Sequence, residues 1–84
     1  MVQVTFARSA RKDLEALSAK TQDRILATIE RLRAEPRPHG CKKLIGADNS
    51  YRIRVGDYRV VYEVYDREVR ILIVRVRHRK DAYQ

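Results

Sequence analysis

Residues 51–83 decide the fold, and they read YRIRVGDYRVVYEVYDREVRILIVRVRHRKDAY. Apolar and charged residues alternate along this stretch, which is typical of strands with one buried and one exposed face. The pair Gly56-Asp57 is a two-residue hairpin signal, because glycine in the first position suits a type II′ turn. A weaker turn signal at Asp66-Arg67 separates two further strands. The pattern predicts a three-stranded antiparallel meander.

Two-residue turns fix which side chains share a face of this meander. They place Arg54 opposite Arg59, Tyr65 opposite Glu68 and Arg59 opposite Val74. The face that the helices should cover then holds Ile53, Val55, Val60, Tyr62, Ile71 and Ile73. The other face should hold Arg52, Arg54, Arg59, Val61, Leu72, Val74, Val76 and His78.

Arginines directly opposite each other repel, so the Arg54–Arg59 pair costs stability without serving the fold. One interpretation is that the pair binds an anion such as a phosphate. In the other interpretation, both side chains extend into water or pair with Glu63 or with an acidic helix residue.

The residues before the meander predict a strand and a helical hairpin. Val2, Val4 and Phe6 alternate with polar residues, which indicates a short opening strand. The first helix is predicted from an N-cap at Ser9 to about Leu17, with a break at 18–21. The apolar stripe of the second helix consists of Ile25, Leu26, Ile29 and Leu32, and the prolines at 36 and 38 end that helix.

Residues 43–45 are predicted to form a brief extended piece. The expected fold is therefore α+β, a single domain of residues 1–84 with a small twisted sheet and both helices on one face.

Composition restricts the function further. The 84 residues carry a formal net charge of +8, mostly from arginine, and the run from Arg70 to Lys80 contains five cations and no acid. This balance favours a polyanionic partner over a merely solvated face. The sequence contains no secretory signal and no apolar stretch long enough for a membrane span. The single Cys41 cannot form an internal disulfide, so we expect a cytoplasmic protein.

Common enzyme signatures are absent from the sequence. We find no glycine-rich phosphate loop, no metal-ligand spacing among His39, Cys41 and His78, and no serine nucleophile motif. A basic site can nevertheless cleave RNA, since the ribose 2′-hydroxyl is an internal nucleophile beside its phosphate. Arginines stabilise charge but stay protonated, so His78 and Tyr83 are the candidates for proton transfer. Alternatively, Tyr83 is a packed terminal aromatic residue and His78 a strand-end residue.

Four segments together resemble the RelE/ParE superfamily of prokaryotic toxins. They are YRIRVGDYRVVYEV, the ending VRHRKDAY, the opening FARSARKDLEAL, and KKLIG. The resemblance covers essentially the whole chain and is closest to the RelE-like, ribosome-dependent mRNA endonucleases. It implies a strand–helix–helix–three-strand fold, cleavage of mRNA in the ribosomal A site, and a cognate antitoxin that wraps the toxin.

The resemblance also implies roles for individual residues. The catalytic set would be Arg54, Arg59, His78, Arg79 and Tyr83. The RNA-binding set would be Arg52, which the resemblance places on the first meander strand, together with Arg75, Arg77 and Lys80 of the cationic run. No metal or other cofactor is expected, and the products should carry a 2′,3′-cyclic phosphate and a 5′-hydroxyl.

The chain departs from the superfamily pattern on the first meander strand, where relatives often carry a lysine pair and this chain has Arg52 and Arg54. Lysine-assisted proton transfer is therefore not available, and the base would be His78 or Tyr83. Two other functions stay open: a ParE-like inhibitor of DNA gyrase with the same fold, and a non-catalytic nucleic-acid- or ribosome-binding domain.

Overall fold

The computed structural model describes residues 2–46 and 48–80, in which the chain forms two helices and a five-stranded sheet. In chain order the elements are β1 Gln3–Phe6, α1 Arg8–Glu15, α2 Ala19–Arg31, β2 Lys42–Lys43, β3 Ser50–Val55, β4 Tyr58–Tyr65 and β5 Arg70–His78. Across the sheet the strand order is β1-β5-β4-β3-β2. Strands β1 and β5 are parallel, and all other neighbours are antiparallel. The predicted α+β fold is confirmed. The extended piece expected at 43–45 is instead the two-residue edge strand β2, Lys42–Lys43, which shares only Lys43 with the prediction.

One face of the sheet packs against both helices. The buried apolar side chains form a continuous core: Ala10, Ile25, Ile29, Leu32, Val55, Val60, Tyr62, Val64, Ile71, Ile73 and Val76. The six residues predicted for this face all belong to it, although Ile53 is only partly buried. No helix in the described part of the chain is long and apolar enough to cross a membrane.

The helix boundaries differ from the prediction at the start of α1. The N-cap is Ala7, which makes no side-chain capping bond, and Ser9 lies inside the helix. The Ser9 hydroxyl instead donates to the backbone oxygen of Val74 at 2.7 Å. Helix α2 is capped by Ser18, whose side chain accepts from the Thr21 N–H, so the break between the helices is shorter than predicted.

The first hairpin of the meander has the predicted geometry. Val55 lies opposite Tyr58, and Arg54 lies opposite Arg59. Gly56 has a φ of 60°, in the left-handed region, which a type II′ turn requires at this position.

The predicted register of the second hairpin is wrong for two reasons. Tyr65 pairs with Arg70, so the loop has four residues instead of two. A β-bulge follows, because Tyr62 pairs with Ile73 while Val61 pairs with Arg75, which leaves Val74 as the extra residue. The longer loop shifts the register by two residues and keeps every side chain on its face, whereas the bulge adds one residue and reverses the faces beyond it.

The bulge therefore corrects two predicted positions. Val76, predicted for the uncovered face, is buried in the core opposite Val60. His78 is paired with Tyr58 and follows Val76 onto the helix side. The residue that faces Arg59 across the strands is Arg77, not Val74.

Helix α1 binds the edge of β5 beyond the point where β1 ends. Ala7 N donates to Ile73 O at 2.8 Å, and the Ser9 hydroxyl then satisfies the carbonyl of the bulged residue. One turn further along α1, the carboxylate of Asp13 accepts from the Val76 N–H at 2.9 Å. Side chains of α1 thus continue the hydrogen bonding of β1 along this edge.

A second set of contacts joins the loop after α2 to the sheet. The buried Tyr62 hydroxyl donates to Pro36 O at 2.8 Å. Arg37 donates to both carboxylate oxygens of Asp66, at 3.3 and 2.8 Å, and through Nε to the Tyr51 hydroxyl at 2.9 Å. The Arg37 hydrogen bonds hold the pKa of Asp66 below its usual value. The loop therefore has a fixed position beside β3.

Candidate functional site

The side of the sheet that the helices leave uncovered presents a row of arginines. Arg54, Arg59 and Arg77 lie directly opposite one another on β3, β4 and β5. Directly opposite residues in antiparallel strands have Cβ atoms about 4.5–5.5 Å apart, so the three arginine side chains start from adjacent positions on the sheet. The three positive charges of this arginine row repel one another, and a bound anion would offset that repulsion.

Two further cations extend the row toward the edge of the sheet. Arg52 lies two residues before Arg54 on the same face of β3, and Lys42 of β2 pairs with Arg52. We call Lys42, Arg52, Arg54, Arg59 and Arg77 the cationic face. Within the described residues, Lys42, Arg52, Arg54 and Arg77 form no ion pair with a carboxylate.

A shallow groove of about 210 Å³ runs along part of this face. Its lining residues are Gly40, Lys42, Arg52, Ile53, Arg54 and Arg59. The Nε of Arg54 donates to Gly56 O at 3.1 Å, which holds this guanidinium close to the turn. The four cations that line the groove suit it to a phosphodiester backbone.

The arginine row lies at the end of the sheet near the Gly56-Asp57 turn, whereas Arg70 at the other end is paired with Glu68 at 3.7 Å. Toward the other end of β4, the same face carries Glu63 and Tyr65, and the Tyr65 hydroxyl donates to the Glu63 carboxylate. This hydrogen bond raises the pKa of Tyr65. A polyanion would therefore be bound at one end of the uncovered face and not along its whole length.

His78 is not brought together with the arginine row. Its ring meets Tyr58 edge-on, with centroids 5.2 Å apart and planes at 85°, on the helix side of the sheet. The prediction that His78 shares a face with Arg54 and Arg59 is wrong, because the bulge reverses the faces between Ile73 and Arg75.

The remaining predicted site residues lie in different surroundings. Arg75 forms an ion pair with Asp13 of α1, with Nε 3.1 Å from Oδ2, so its charge is already balanced. The backbone N–H of Arg79 donates to Asp57 O at 2.7 Å, which places Arg79 beside the turn that ends the cationic face. Lys80 is exposed. Tyr83 lies outside the described residues.

Sequence reasoning missed two features of this site. Lys42 was not expected to face the groove, because a two-residue strand is too short to show alternation. Arg77 was predicted to contact RNA, but its place in the arginine row depends on the bulge, for which the run ILIVRVRH carries no glycine or other signal. Within residues 2–46 and 48–80, no group of three or more His, Cys, Asp or Glu side chains is placed to hold a metal ion.

Comparison with known proteins identifies the family. The model of a family described as "ParE toxin of type II toxin-antitoxin system, parDE" matches residues 4–83. The chain belongs to this toxin family. The predicted membership of the RelE/ParE superfamily is thereby confirmed, and the protein is a toxin of a type II toxin–antitoxin system.

The relatives of this toxin include proteins of the RelE branch. It is 36% identical to toxin RelE3 of Methanocaldococcus jannaschii over 86 aligned positions, which cover 98% of this chain and 96% of RelE3. It is 33% identical to toxin RelG of Mycobacterium tuberculosis, over 96% of this chain and 94% of RelG.

Solved structures match the toxin over nearly its whole length. A chain of the archaeal RelE–RelB complex from Pyrococcus horikoshii OT3 superimposes with a TM-score of 0.82 at 31% identity, covering 93% of this chain and 94% of that one. A chain of the RelB–RelE antitoxin–toxin complex from Methanococcus jannaschii gives a TM-score of 0.76 at 35% identity, covering 94% of each chain.

Proposed function

We propose that this toxin is a ribosome-dependent endonuclease that cleaves mRNA and thereby inhibits translation. The observation that carries the proposal is the arginine row on the uncovered side of the sheet, beside a groove lined by four cations. The likeness to RelE3 and RelG, both named as toxins, supports the RelE branch over the gyrase-inhibiting branch.

The proposed reaction is an internal transesterification. The ribose 2′-oxygen attacks the adjacent phosphorus, the bond from phosphorus to the 5′-oxygen breaks, and the products carry a 2′,3′-cyclic phosphate and a 5′-hydroxyl. The 2′-hydroxyl loses a proton to a base, and the departing 5′-oxygen gains one from an acid. The reaction requires no metal ion or other cofactor, because arginines can stabilise the extra negative charge on the phosphorane.

The side chains divide this work according to their positions. Arg54, Arg59 and Arg77 would hold the scissile phosphate and stabilise its transition state, and Arg79 beside the turn would assist them. Arg52 and Lys42 would bind the flanking backbone of the mRNA in the groove. Tyr83 is then the predicted residue left for proton transfer, since His78 faces the other side of the sheet.

We further propose that a cognate, acidic antitoxin neutralises the toxin. The net charge of +8 favours an acidic partner. Support also comes from the matching structures of Pyrococcus horikoshii and Methanococcus jannaschii, which are complexes of RelE with RelB. Binding of ribosomes and mRNA would place the toxin in the cytoplasm.

The decisive experiment incubates purified toxin with ribosomes programmed with a defined mRNA and maps the cleaved ends. We expect cuts in the A-site codon with cyclic-phosphate ends. Arg59→Ala should lower the cleavage rate by roughly 100-fold to 1000-fold, as removal of an anion-stabilising donor does elsewhere. Arg67→Ala is the matched control, because Arg67 is an exposed arginine in the loop at the opposite end of β4. Intact mRNA with the wild-type protein would refute the proposal.

The second candidate function is inhibition of DNA gyrase, which the description of the matching family as ParE toxin favours. This function predicts gyrase-linked DNA breaks when the toxin is expressed, together with intact mRNA on programmed ribosomes. Tyr83→Phe separates a nuclease from a protein that only binds RNA: a nuclease loses cleavage rate at unchanged affinity for RNA, whereas the affinity of a binding protein is unaffected.

A further inference from the structure

We propose that His78 is a positioning residue, which fixes the path of the chain beyond β5, and not a proton-transfer group. The inference rests on the proposed function, because the chain that His78 directs carries Arg79 and leads to Tyr83. It assigns to His78 a role through backbone geometry instead of contact with RNA.

The first observation is the side of the sheet on which the imidazole lies. His78 is opposite Tyr58, two residues beyond the buried Val76, and Arg77 between them points to the cationic face. Alternate residues of a strand project to opposite faces. The imidazole therefore projects from the face of β5 opposite to the one on which the arginine row would bind the phosphate.

The second observation is the pair of hydrogen bonds just after β5. Arg79 N donates to Asp57 O at 2.7 Å, and Lys80 N donates to Nδ1 of His78 at 3.2 Å. Two successive backbone N–H groups are thus held, one by the β3–β4 turn and one by the imidazole. Nδ1 accepts this bond only when it carries no proton, so the ring proton belongs on Nε2.

The third observation is the fixed orientation of the ring itself. The imidazole contacts Tyr58 edge-on and accepts the Lys80 N–H at Nδ1, so two partners determine its orientation. Tyr58 packs against the hydrophobic core, so the position of Lys80 is coupled to the core through one ring contact and one hydrogen bond. Catalytic groups displaced by about 1 Å can lose roughly 100-fold in rate, so such coupling matters for Arg79, which lies between His78 and Lys80.

Two substitutions distinguish the role of the hydrogen-bond acceptor Nδ1 from the role of the aromatic ring. His78→Phe keeps an aromatic ring that can contact Tyr58 but removes the acceptor. His78→Asn removes the ring but supplies a side-chain oxygen, and asparagine commonly accepts from the backbone N–H two residues later. We expect His78→Phe to lower the rate of mRNA cleavage on programmed ribosomes at least about 10-fold at saturating toxin. Its KM should change little, since the cationic face is intact.

Rescue by asparagine is the discriminating result. We expect His78→Asn to restore cleavage to within about 3-fold of wild type, with an unchanged pH profile. If both variants lose roughly 100-fold or more, His78 transfers protons and the inference is wrong. If neither variant loses activity, the hydrogen bond to Lys80 positions nothing and the inference is also wrong. Thermal unfolding of each variant establishes that the assays compare folded proteins.

Hydrogen exchange of the Lys80 amide tests the inference independently of the reaction. The amide should exchange faster in His78→Phe than in wild type, and His78→Asn should recover most of the protection. Equal exchange in all three proteins would overturn the inference. A wild-type protein that leaves mRNA intact would refute the proposed function, and this exchange measurement would still decide whether His78 holds the chain.

Discussion

Among the described residues, Val69 is the only residue other than glycine with a positive φ, at 51°. It closes the four-residue loop before β5, where its N–H donates to Asp66 O at 3.2 Å and its carbonyl accepts from Gln3 N at 2.9 Å. A β-branched residue in this region is strained by about 1–3 kcal/mol. The two hydrogen bonds impose the conformation in spite of the side chain.

Val69→Gly should therefore stabilise the toxin. Relief of strain exceeds the extra conformational entropy of glycine, which is roughly 0.5–1 kcal/mol, and the valine side chain is 48% exposed, so little burial is lost. We expect a net gain of about 1 kcal/mol, measured as a higher urea midpoint with an unchanged slope. Val61→Gly in β4 is the control, and it should destabilise. A lower midpoint for Val69→Gly would contradict the strain argument.

The arginine row shows how far residue patterns predict a site. The pairing of Arg54 with Arg59 follows from the Gly56-Asp57 turn, because a glycine with positive φ in a two-residue loop fixes the register on both sides. The third member, Arg77, could not be placed on the row, because its register depends on a loop and a bulge that the local sequence does not specify.

At the scale of elements, α1 and β5 depend on each other through one carboxylate. Asp13 accepts from the Val76 N–H at 2.9 Å and also balances Arg75, whose Nε lies 3.1 Å away. We expect Asp13→Ala to destabilise the fold by about 1–3 kcal/mol, because a backbone donor and a cation lose their partner together. Chemical unfolding measures the loss.

The control for Asp13 is Asp23→Ala on α2. Asp23 is an exposed helical acid without a hydrogen bond or ion pair in the described structure, so its removal should change stability by less than about 0.5 kcal/mol. Equal effects of the two substitutions would show that the contact with the edge of β5 contributes nothing.

The elements themselves were largely predictable, and their connections were not. Apolar periodicity indicated both helices and the meander strands, because amphipathic faces must be buried against each other. Ser9 looked like an N-cap, but its hydroxyl satisfies a carbonyl that the bulge leaves unpaired 65 residues later in the chain. Tertiary hydrogen bonds of this kind have no local sequence signal.

The Tyr62 hydroxyl joins the loop after α2 to β4. Because this hydroxyl can ionise, it makes the stability of the fold depend on pH in the alkaline range. Burial raises the pKa of Tyr62 above its ordinary value of about 10. A raised pKa means that the unfolded state loses this proton first. The stabilisation is therefore complete below about pH 10 and decreases as the pH rises above it.

Tyr62→Phe should remove this part of the alkaline sensitivity. At neutral pH the variant should be less stable by about 1 kcal/mol, because Pro36 O loses its donor. The free energies of unfolding of the wild type and of Tyr62→Phe, measured as a function of pH, should approach each other above about pH 10. Parallel curves over that range would show that Tyr62 does not titrate on unfolding.

At the scale of the whole molecule, the net charge of +8 and the five residues of the cationic face predict salt-sensitive RNA binding. Binding to a single-stranded RNA releases counterions in proportion to the phosphates contacted. Arg52→Gln should reduce the slope of log affinity against log salt by about 0.7, the value for one phosphate contact on a single strand.

Arg67→Gln changes the net charge equally but lies in the loop before β5, away from the cationic face. The slope of log affinity against log salt for Arg67→Gln should match that of the wild type. Fluorescence anisotropy with a labelled oligonucleotide over a series of salt concentrations gives both slopes. If the two variants behave alike, total charge and not the groove determines binding.

The order of the strands has a consequence for synthesis. Strand β5 is made after all the others, yet it lies between β1 and β4 in the sheet. A nascent polypeptide that has not reached residue 70 exposes unpaired backbone on both of those strands and lacks Arg77. We expect such an incomplete translation product to be prone to aggregation and, under the proposed mechanism, unable to cleave mRNA, because the last strand to emerge both completes the sheet and supplies Arg77.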